Sequence, residues 1–267
     1  MTRVRALLAK EFADLRHNPG VFLPALLTAA ISMALPFFVA VVIPAWTGER
    51  LADSSDLQVA LDTYRSQRIM QGLDPEAMVQ AWIFQQFLPL LVLAPVAASM
   101  SVAAYAVIGE KQARTLEPLL ATPITTFELL LAKVLGALIP AVGLTFVSFI
   151  VYGLGIALLA HAGTVRVLLA PRSLGMVFVL GPLAALAALQ LAVCVSSRVN
   201  DARSAQQIGA LIILPLAGLL VGQLTGTVAL TGGLIAGLAM VLVALNAVLM
   251  HVGIALFDRE SILTRWR

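Results

Sequence analysis

The chain has 267 residues, of which 60% are hydrophobic and 12% are charged, and its formal net charge is +3. Soluble domains contain about 25% charged residues, and a soluble fold of this size would leave much of this apolar surface in water. Composition therefore excludes a soluble globular protein and predicts an integral membrane protein. The few basic residues are too sparse for the basic stripe that nucleic-acid binding needs, so we expect no nucleic-acid partner.

Six apolar stretches are long enough to cross the hydrocarbon core, which requires about 20 helical residues. We therefore predict an all-α integral membrane protein in which residues 1–267 form a single transmembrane domain. The predicted spans are residues 21–44, 83–108, 134–160, 173–196, 205–224 and 231–257. Residues 225–230 carry no charge, and we expect either a loop or a re-entrant dip into the outer leaflet.

The distribution of basic residues predicts the orientation of these spans. With the N-terminus inside, 12 of the 17 Lys and Arg residues fall on the cytoplasmic side. Basic residues flanking membrane spans accumulate on that side. We therefore predict a multi-pass protein of the cell inner or plasma membrane with cytoplasmic N- and C-termini.

Two segments outside the spans carry helical patterns. Residues 1–19 are expected to form an amphipathic interfacial helix, because apolar residues recur at helical spacing. Residues 45–82 are expected to form an extracytoplasmic helical loop, in which Ser55 and Gln58 make a capping box. Later in this loop, Asp74 and Pro75 begin a helix that continues into the second span. The apolar residues of the first segment are Val4, Leu7, Leu8, Phe12 and Leu15.

A charged segment, residues 109–133, interrupts the apolar chain on the predicted cytoplasmic side. Thr115 is a candidate N-cap for a short helix that ends at Pro123, and Thr125 with Glu128 forms a capping box that begins the third span. Three leucines of the short helix make an apolar ridge with a charged rim: Leu116, Leu119 and Leu120. Such a ridge suits a groove on a cytoplasmic partner, or the lipid headgroups.

Catalytic and energy-converting motifs are absent from the sequence. A P-loop needs Gly directly before its Lys, and none of Lys10, Lys111 and Lys133 follows a Gly. None of the six predicted spans contains Asp, Glu, Lys or Arg, which argues against a carrier driven by a proton gradient. We therefore expect no catalytic residue, no metal site and no ATPase site in this chain.

Residues 109–133 resemble the signature of the permease subunits of ABC-2-type ATP-driven exporters. The resemblance lies in the order and spacing of Glu110-Lys111, Thr115-Leu116-Glu117, Leu119-Leu120, Thr122-Pro123 and Lys133. The sequence departs from that signature at Arg114, where the family often has glycine. The resemblance implies a permease that moves substrate outward by alternating access, driven by ATP hydrolysis in a separate nucleotide-binding subunit.

The resemblance also implies partners and contact residues. The partners would be an ABC ATPase subunit, which would hold ATP and Mg, and a second permease copy or a homologous permease. The chain itself would need no cofactor, and the whole complex would be the ATP-hydrolysing translocase. A second edge of the ATPase contact would include Lys10, Glu11 and Arg16. The main ATPase-coupling contact would comprise Glu110, Lys111, Arg114, Thr115, Leu116, Glu117, Leu119, Leu120, Thr122 and Pro123.

Polar and small residues inside the predicted spans allow two interpretations each. The polar residues either line a translocation path or bond neighbouring helices, and they are Gln85, Gln86, Thr145, Ser148, Tyr152, Gln190 and Asn246. Glycines spaced by four predict close packing of the fifth span on the sixth, or a seam between two copies. These are Gly218, Gly222, Gly226, Gly233 and Gly237.

Nearly charge-free spans suit a lipid-like or drug-like amphiphile as substrate, and the resemblance also allows sodium. Two alternatives remain open from the sequence. One is a secondary transporter or channel that does not use ATP, and the other is a membrane scaffold or assembly factor.

Overall fold

The structure is a computed structural model, and it describes residues 2–17, 23–54, 72–93, 96, 100, 124–196, 204, 207–208, 211, 213–224, 228 and 231–256. Every element in these ranges is helical, which confirms the all-α prediction. Five helical stretches there are long and apolar enough to span a membrane: Leu26–Thr47, Pro75–Leu93, Thr126–Leu159, Pro171–Ser196 and Gly232–Leu256. The predicted fifth span, 205–224, lies partly outside the described residues.

The helices are numbered in chain order. They are α1 (Thr2–His17), α2 (Leu23–Phe37), α3 (Ile43–Thr47), α4 (Pro75–Gln86), α5 (Thr126–Leu159), α6 (Val165–Leu168), α7 (Pro171–Gly175), α8 (Gly181–Ser196), α9 (Ile213–Leu224) and α10 (Gly232–Leu256). A π-helical turn, Phe38–Val42, joins α2 to α3, and a second one, Met176–Leu180, joins α7 to α8. A 3₁₀ turn, Leu51–Asp53, follows α3.

Both helix starts predicted at described positions are confirmed. The Asp74 carboxylate accepts a hydrogen bond from the Glu76 backbone N–H at 3.2 Å, and Pro75 occupies the first turn of α4. Thr125 Oγ1 accepts from the Glu128 N–H at 3.2 Å, while Glu128 Oε2 accepts from the Thr125 N–H at 2.9 Å. This reciprocal pair satisfies two donors that the first turn of a helix leaves free. The capping box predicted at Ser55 and Gln58 lies outside the described residues.

Helix α5 begins where the Thr125–Glu128 capping box predicted it to begin. The uncharged part of the third span was predicted over 134–160, and the helix, Thr126–Leu159, includes Glu128 and Lys133 before that part. Its 34 residues extend for about 51 Å at 1.5 Å per residue, against a hydrocarbon core about 30 Å thick. Part of α5 must therefore tilt within the bilayer or project beyond its hydrocarbon core.

The described bundle is organised around α5 and α8. Helix α8 packs against α5 on one side and α10 on the other, and α5 also carries α1. The span windows starting at Pro75 and Pro171 are the most buried, whereas the first and last spans are mostly exposed. Their outer faces carry large apolar side chains such as Ile31 and Met240, as expected of a surface covered by lipid.

The close packing of the fifth span on the sixth, expected through glycines, is not found at Gly218, Gly233 or Gly237, and Gly226 lies outside the described residues. A Cβ built on Gly218 of α9 or on Gly237 of α10 meets no described atom within 4 Å. The only described atom near a Cβ on Gly233 is the neighbouring Thr231 hydroxyl at 4.0 Å. Helix α10 instead packs on α8, because α8 presents small side chains such as Ala187 and Ala188 in the bundle interior.

An aromatic cluster joins the first three spans. The Phe37 ring contacts the Phe84 ring at a centroid distance of 5.0 Å and the Tyr152 ring at 5.5 Å. Gly155 of α5 lies under Phe37, and a Cβ there would come within 2.6 Å of Phe37 Cζ. The ring is held between two others, so it has little room to move away. Gly155 thus allows α2 to approach α5 closely.

Replacing this glycine tests the contact, and α5 supplies a matched control. Gly155→Ala is expected to lower the free energy of unfolding by about 1–3 kcal/mol, because the new methyl group overpacks against Phe37. Gly143→Ala introduces the same methyl group where no described atom lies within 4 Å. It should be neutral or stabilising by up to about 1 kcal/mol through helix propensity. The measurement is reversible unfolding in mixed micelles, and equal effects at both positions would contradict the packing.

Candidate functional site

The predicted ATPase-coupling residues from Glu110 to Pro123 lie outside the described residues, so their roles remain predictions. The structure describes the chain immediately after them, from Ile124 onward. Helix α5 begins at Thr126, and the last residue of the predicted coupling segment, Lys133, is in its second turn. The coupling segment therefore continues directly into the third span.

At this end of α5 the structure brings together two charged residues that are distant in sequence. Lys133 Nζ donates a hydrogen bond to Glu11 Oε1 of α1 at 3.2 Å. Only 1% of Lys133 and 9% of Glu11 is accessible to solvent. Replacing Lys133 would remove this cation from the buried Glu11 carboxylate, and breaking a buried ion pair in this way costs about 3–5 kcal/mol. The pair is therefore a strong constraint on how α1 sits on α5.

The same contact brings the two helices into close approach. A Cβ built on Gly136 would lie 2.8 Å from Glu11 Cβ and 3.2 Å from Glu11 Cγ. Leu7, one turn before Glu11, is also buried. We call Leu7, Glu11, Lys133 and Gly136 the α1–α5 junction. Only a glycine at 136 leaves room for the Glu11 stem at this distance.

The three residues predicted on a second edge of the ATPase contact differ in exposure. The resemblance implied this edge for Lys10, Glu11 and Arg16. Arg16 is exposed and Lys10 is half-buried, whereas the Glu11 side chain is directed into the junction. The Glu11 carboxylate is paired within the chain in this structure, and contact of this edge with an ATPase stays a prediction.

A second polar group lies where the predicted second span begins. Gln86 Nε2 donates to the Gln223 backbone carbonyl at 2.8 Å, and Gln223 Nε2 donates to Gln86 Oε1 at 2.5 Å and to the Gln85 carbonyl at 3.2 Å. Gln85 Nε2 lies 3.5 Å from Ser173 Oγ. We call Gln85, Gln86, Ser173 and Gln223 the glutamine cluster. It links α4, α7 and α9.

All seven polar residues predicted for a translocation path are buried. Tyr152 donates to the Phe84 carbonyl at 2.9 Å, Thr145 to the Ala141 carbonyl at 2.9 Å, and Asn246 Nδ2 to the Leu183 carbonyl at 3.0 Å. The structure gathers Gln85 and Gln86 in the glutamine cluster, whereas Asn246 bonds α8. Ser148 and Gln190 are buried on α5 and α8 respectively. In this conformation all seven are buried within the chain, and a role in the translocation path stays a prediction for each of them.

Several buried amide side chains have an oxygen that accepts no hydrogen bond from a described residue. Among the described residues, no hydrogen-bond donor reaches four buried side-chain oxygens: Gln85 Oε1, Gln190 Oε1, Gln223 Oε1 and Asn246 Oδ1. Buried acceptors of this kind bind water or a donor group when the surrounding helices separate.

A third polar group joins the ends of the first three spans. The two carboxylate oxygens of buried Glu76 accept hydrogen bonds from the Leu51 and Ala52 N–H groups, both at 3.1 Å. Gln80 Nε2 donates to the Ala40 carbonyl at 3.0 Å. Ala40 lies in the π-helical turn, where Pro44 has no N–H to donate to its carbonyl, and the Gln80 amide provides a donor from α4.

Sequence reasoning missed four residues that hold these contacts: Glu76, Gln80, Lys133 and Gln223. For the junction a signal was present, because Glu11 interrupts the apolar positions Leu7, Leu8 and Leu15 of α1. A carboxylate at such a position requires a cationic partner. Which cation it meets depends on how α1 folds back on α5, and the sequence pattern does not contain that information.

Comparison with known protein families identifies the family of this chain. A family model described as ABC-2 family transporter protein matches residues 5–234, which is most of the chain. The chain belongs to the ABC-2 transporter family. No curated protein matches the chain. The protein is thus a permease of an ABC-2-type transporter, a multi-pass membrane transport subunit. The matched region includes α1 from residue 5 onward and the four residues of the α1–α5 junction.

The glutamine cluster of this permease generates a stability prediction. Gln86→Leu should lower the free energy of unfolding by about 1–2 kcal/mol, because it breaks bonds between α4 and α9 and removes one of the two acceptors of the Gln223 amide. Gln223→Leu should have a similar effect, and the double variant should cost less than the sum of the two. Unfolding in mixed micelles measures all three.

Thr145→Val provides the control, since the Thr145 hydroxyl bonds only its own helix among the described residues. It is expected to cost less than either glutamine variant. Fully additive effects of Gln86→Leu and Gln223→Leu would contradict a direct bond between these side chains.

Proposed function

We propose that this ABC-2 permease exports its substrate by alternating access, driven by ATP hydrolysis in a separate ABC ATPase subunit. The observation that carries the proposal is the ordered signature between Glu110 and Lys133, which lies within the family-matched region. In this proposal, Leu116, Leu119 and Leu120 dock into a groove of the ATPase, and charged residues such as Glu117 surround the contact. The chain contributes no catalytic group, and ATP and Mg bind to the partner.

The continuity of α5 supports this mechanism. A displacement of the docked ridge reaches the third span through a short connection, because α5 begins at Thr126, three residues after Pro123. Helix α5 is continuous over 34 residues with Pro140 inside it, and such a helix carries displacement along its axis. Its other end, near Tyr152 and Leu159, would then shift relative to the second span and expose a path.

The burial of the predicted path residues is consistent with a closed conformation. In the proposed cycle the helices around Gln85, Tyr152 and Asn246 separate, and the freed oxygens and hydroxyls then contact cargo or water. Each intramembrane hydrogen bond of this type contributes only about 0.6 kcal/mol on average, so such contacts rearrange at low cost. Because the spans are nearly free of charge, a lipid-like or drug-like amphiphile is the proposed substrate, with sodium as the other candidate.

Orientation and assembly complete the proposal. Both termini lie in the cytoplasm, in accord with the distribution of Lys and Arg, and the protein resides in the cell inner or plasma membrane. A second permease copy or a homologous permease completes the path. The faces of α9 and α10 that carry Gly218 and Gly237 are not covered by other described residues, which leaves room for that second subunit.

Co-purification in mild detergent tests the partnership. An ABC ATPase should accompany the permease at about one copy per chain, and it should be lost when Leu116 and Leu120 are both changed to Asp. The reason is that two carboxylates would enter a buried apolar contact without partners. The control changes the exposed Leu158 and Leu159 to Asp, at the opposite end of α5, and should retain the ATPase.

Two outcomes would contradict the proposal. Recovery of the permease alone, together with gradient-driven flux, would favour a transporter or channel that does not use ATP. Recovery with a partner that is not an ATPase, and without any transport, would favour a scaffold or assembly factor.

Cysteine labelling in intact cells tests the orientation. A membrane-impermeant maleimide should label Glu49→Cys and should not label Asp14→Cys, since both positions are exposed and the proposal puts them on opposite sides. The native Cys194 is buried, which keeps its background low. Permeabilised cells should label both variants. Labelling of Asp14→Cys in intact cells would contradict the proposed orientation and would place the N-terminus outside.

A further inference from the structure

The α1–α5 junction has a property that an apolar helix contact lacks, because it selects one position of α1 along α5. Apolar contacts such as that of Leu7 tolerate sliding, since one methyl group can replace another. The hydrogen bond from Lys133 Nζ to Glu11 Oε1 at 3.2 Å does not tolerate sliding, because a shift of one helical turn would separate two buried charges. The pair therefore specifies the register of α1 on α5.

Gly136 limits the same contact in a second, independent way. The Glu11 stem approaches the position of a Gly136 Cβ to 2.8 Å, so α1 rests almost directly on the α5 backbone. Gly136 lies three residues after Lys133 and therefore on the same face of the helix. The charge pair and the glycine notch together hold α1 in one place.

The α1–α5 junction lies at the point where the predicted coupling segment meets the third span. Lys133 is the last residue of the predicted coupling segment and also lies near the start of the third span. Through Glu11, the N-terminal helix is attached where the coupling segment enters the membrane. A displacement at this point cannot move α5 without moving α1, as long as the pair is intact.

We infer that Glu11 and Lys133 are positioning residues that fasten α1 to the start of α5, so that the two helices move as one body. This next step rests on the proposed function: force from the ATPase reaches the third span through α1 and α5 moving together. Glu11 then acts by holding α1 in place and not by touching the ATPase.

Spin-label distances in the full chain test the fastening without any partner. Labels at Ala13→Cys on α1 and Phe127→Cys on α5, both at exposed positions, would be combined with Cys194→Ser in lipid nanodiscs. The parent protein should give one narrow distance distribution. Glu11→Gln and Lys133→Gln should each broaden it, and the exchanged pair, Glu11→Lys with Lys133→Glu, should narrow it again.

Gly136→Ala keeps both charges and should broaden the distribution as well, because the methyl group displaces Glu11. Asp14→Asn on α1 and Gly143→Ala on α5 are the matched controls and should leave it narrow. An unchanged distribution in Glu11→Gln and Gly136→Ala would overturn the inference. If the exchanged pair does not narrow the distribution again, the pairing of the two charges is not the cause of the broadening.

The complex with its ATPase tests the transmission of force. A membrane-impermeant maleimide would report on Leu159→Cys at the far end of α5, with and without trapping by ATP and vanadate. The parent complex should show a nucleotide-dependent labelling rate. Glu11→Gln should lose that dependence while retaining the ATPase and its binding of ATP.

The outcomes separate the inference from the proposed function. If Glu11→Gln keeps the nucleotide-dependent change, the joint-body transmission is wrong. If Glu11→Gln releases the ATPase, Glu11 is a contact residue and the inference is also wrong. If the parent complex shows no nucleotide-dependent change, the proposed function fails, whereas the spin-label result still decides whether the junction fastens α1.

Discussion

Hydrocarbon provides no water to satisfy polar groups, so charges and amides within the bundle are stabilised by partners inside the protein. This constraint explains where the helices meet. Glu11 and Lys133 join α1 to α5, the glutamine cluster joins α4 to α7 and α9, and Glu76 binds the turn that follows α3. Apolar packing alone would discriminate weakly among these arrangements, since lipid tails compete equally well for apolar surface.

The polar contacts differ in strength, so some helix contacts are harder to break than others. A buried ion pair is costly to break, so the start of α5 and α1 remain together. Single amide and hydroxyl bonds between helices are weak, so the contacts of Gln86 and Tyr152 can exchange partners during transport. A firmly held contact between α1 and the start of α5, next to helices with weaker contacts, suits a subunit that is moved by another chain.

Close helix approach depends on two glycines of the third span. Gly136 accommodates the Glu11 stem and Gly155 accommodates Phe37, so α1 and α2 are seated on opposite ends of the same helix. Helix α5 thereby connects the entry of the predicted coupling segment to the aromatic cluster at its far end. Because both contacts involve α5, a shift of this helix must be accommodated by α1 and α2 together.

The sequence by itself determined the membrane class, the all-helical fold, the helix starts at Pro75 and Thr126 and the resemblance of residues 109–133 to ABC-2 permeases. These features depend on composition, local capping and the order of nearby residues, all of which can be read along the chain. Only the tertiary structure decided that Glu11 pairs with Lys133, that Gln86 meets Gln223, and that Gly218 and Gly237 do not join α9 to α10. The physical reason is that these contacts join residues far apart in sequence, and the hydrophobic pattern of a span does not specify which neighbour its polar side chains will meet.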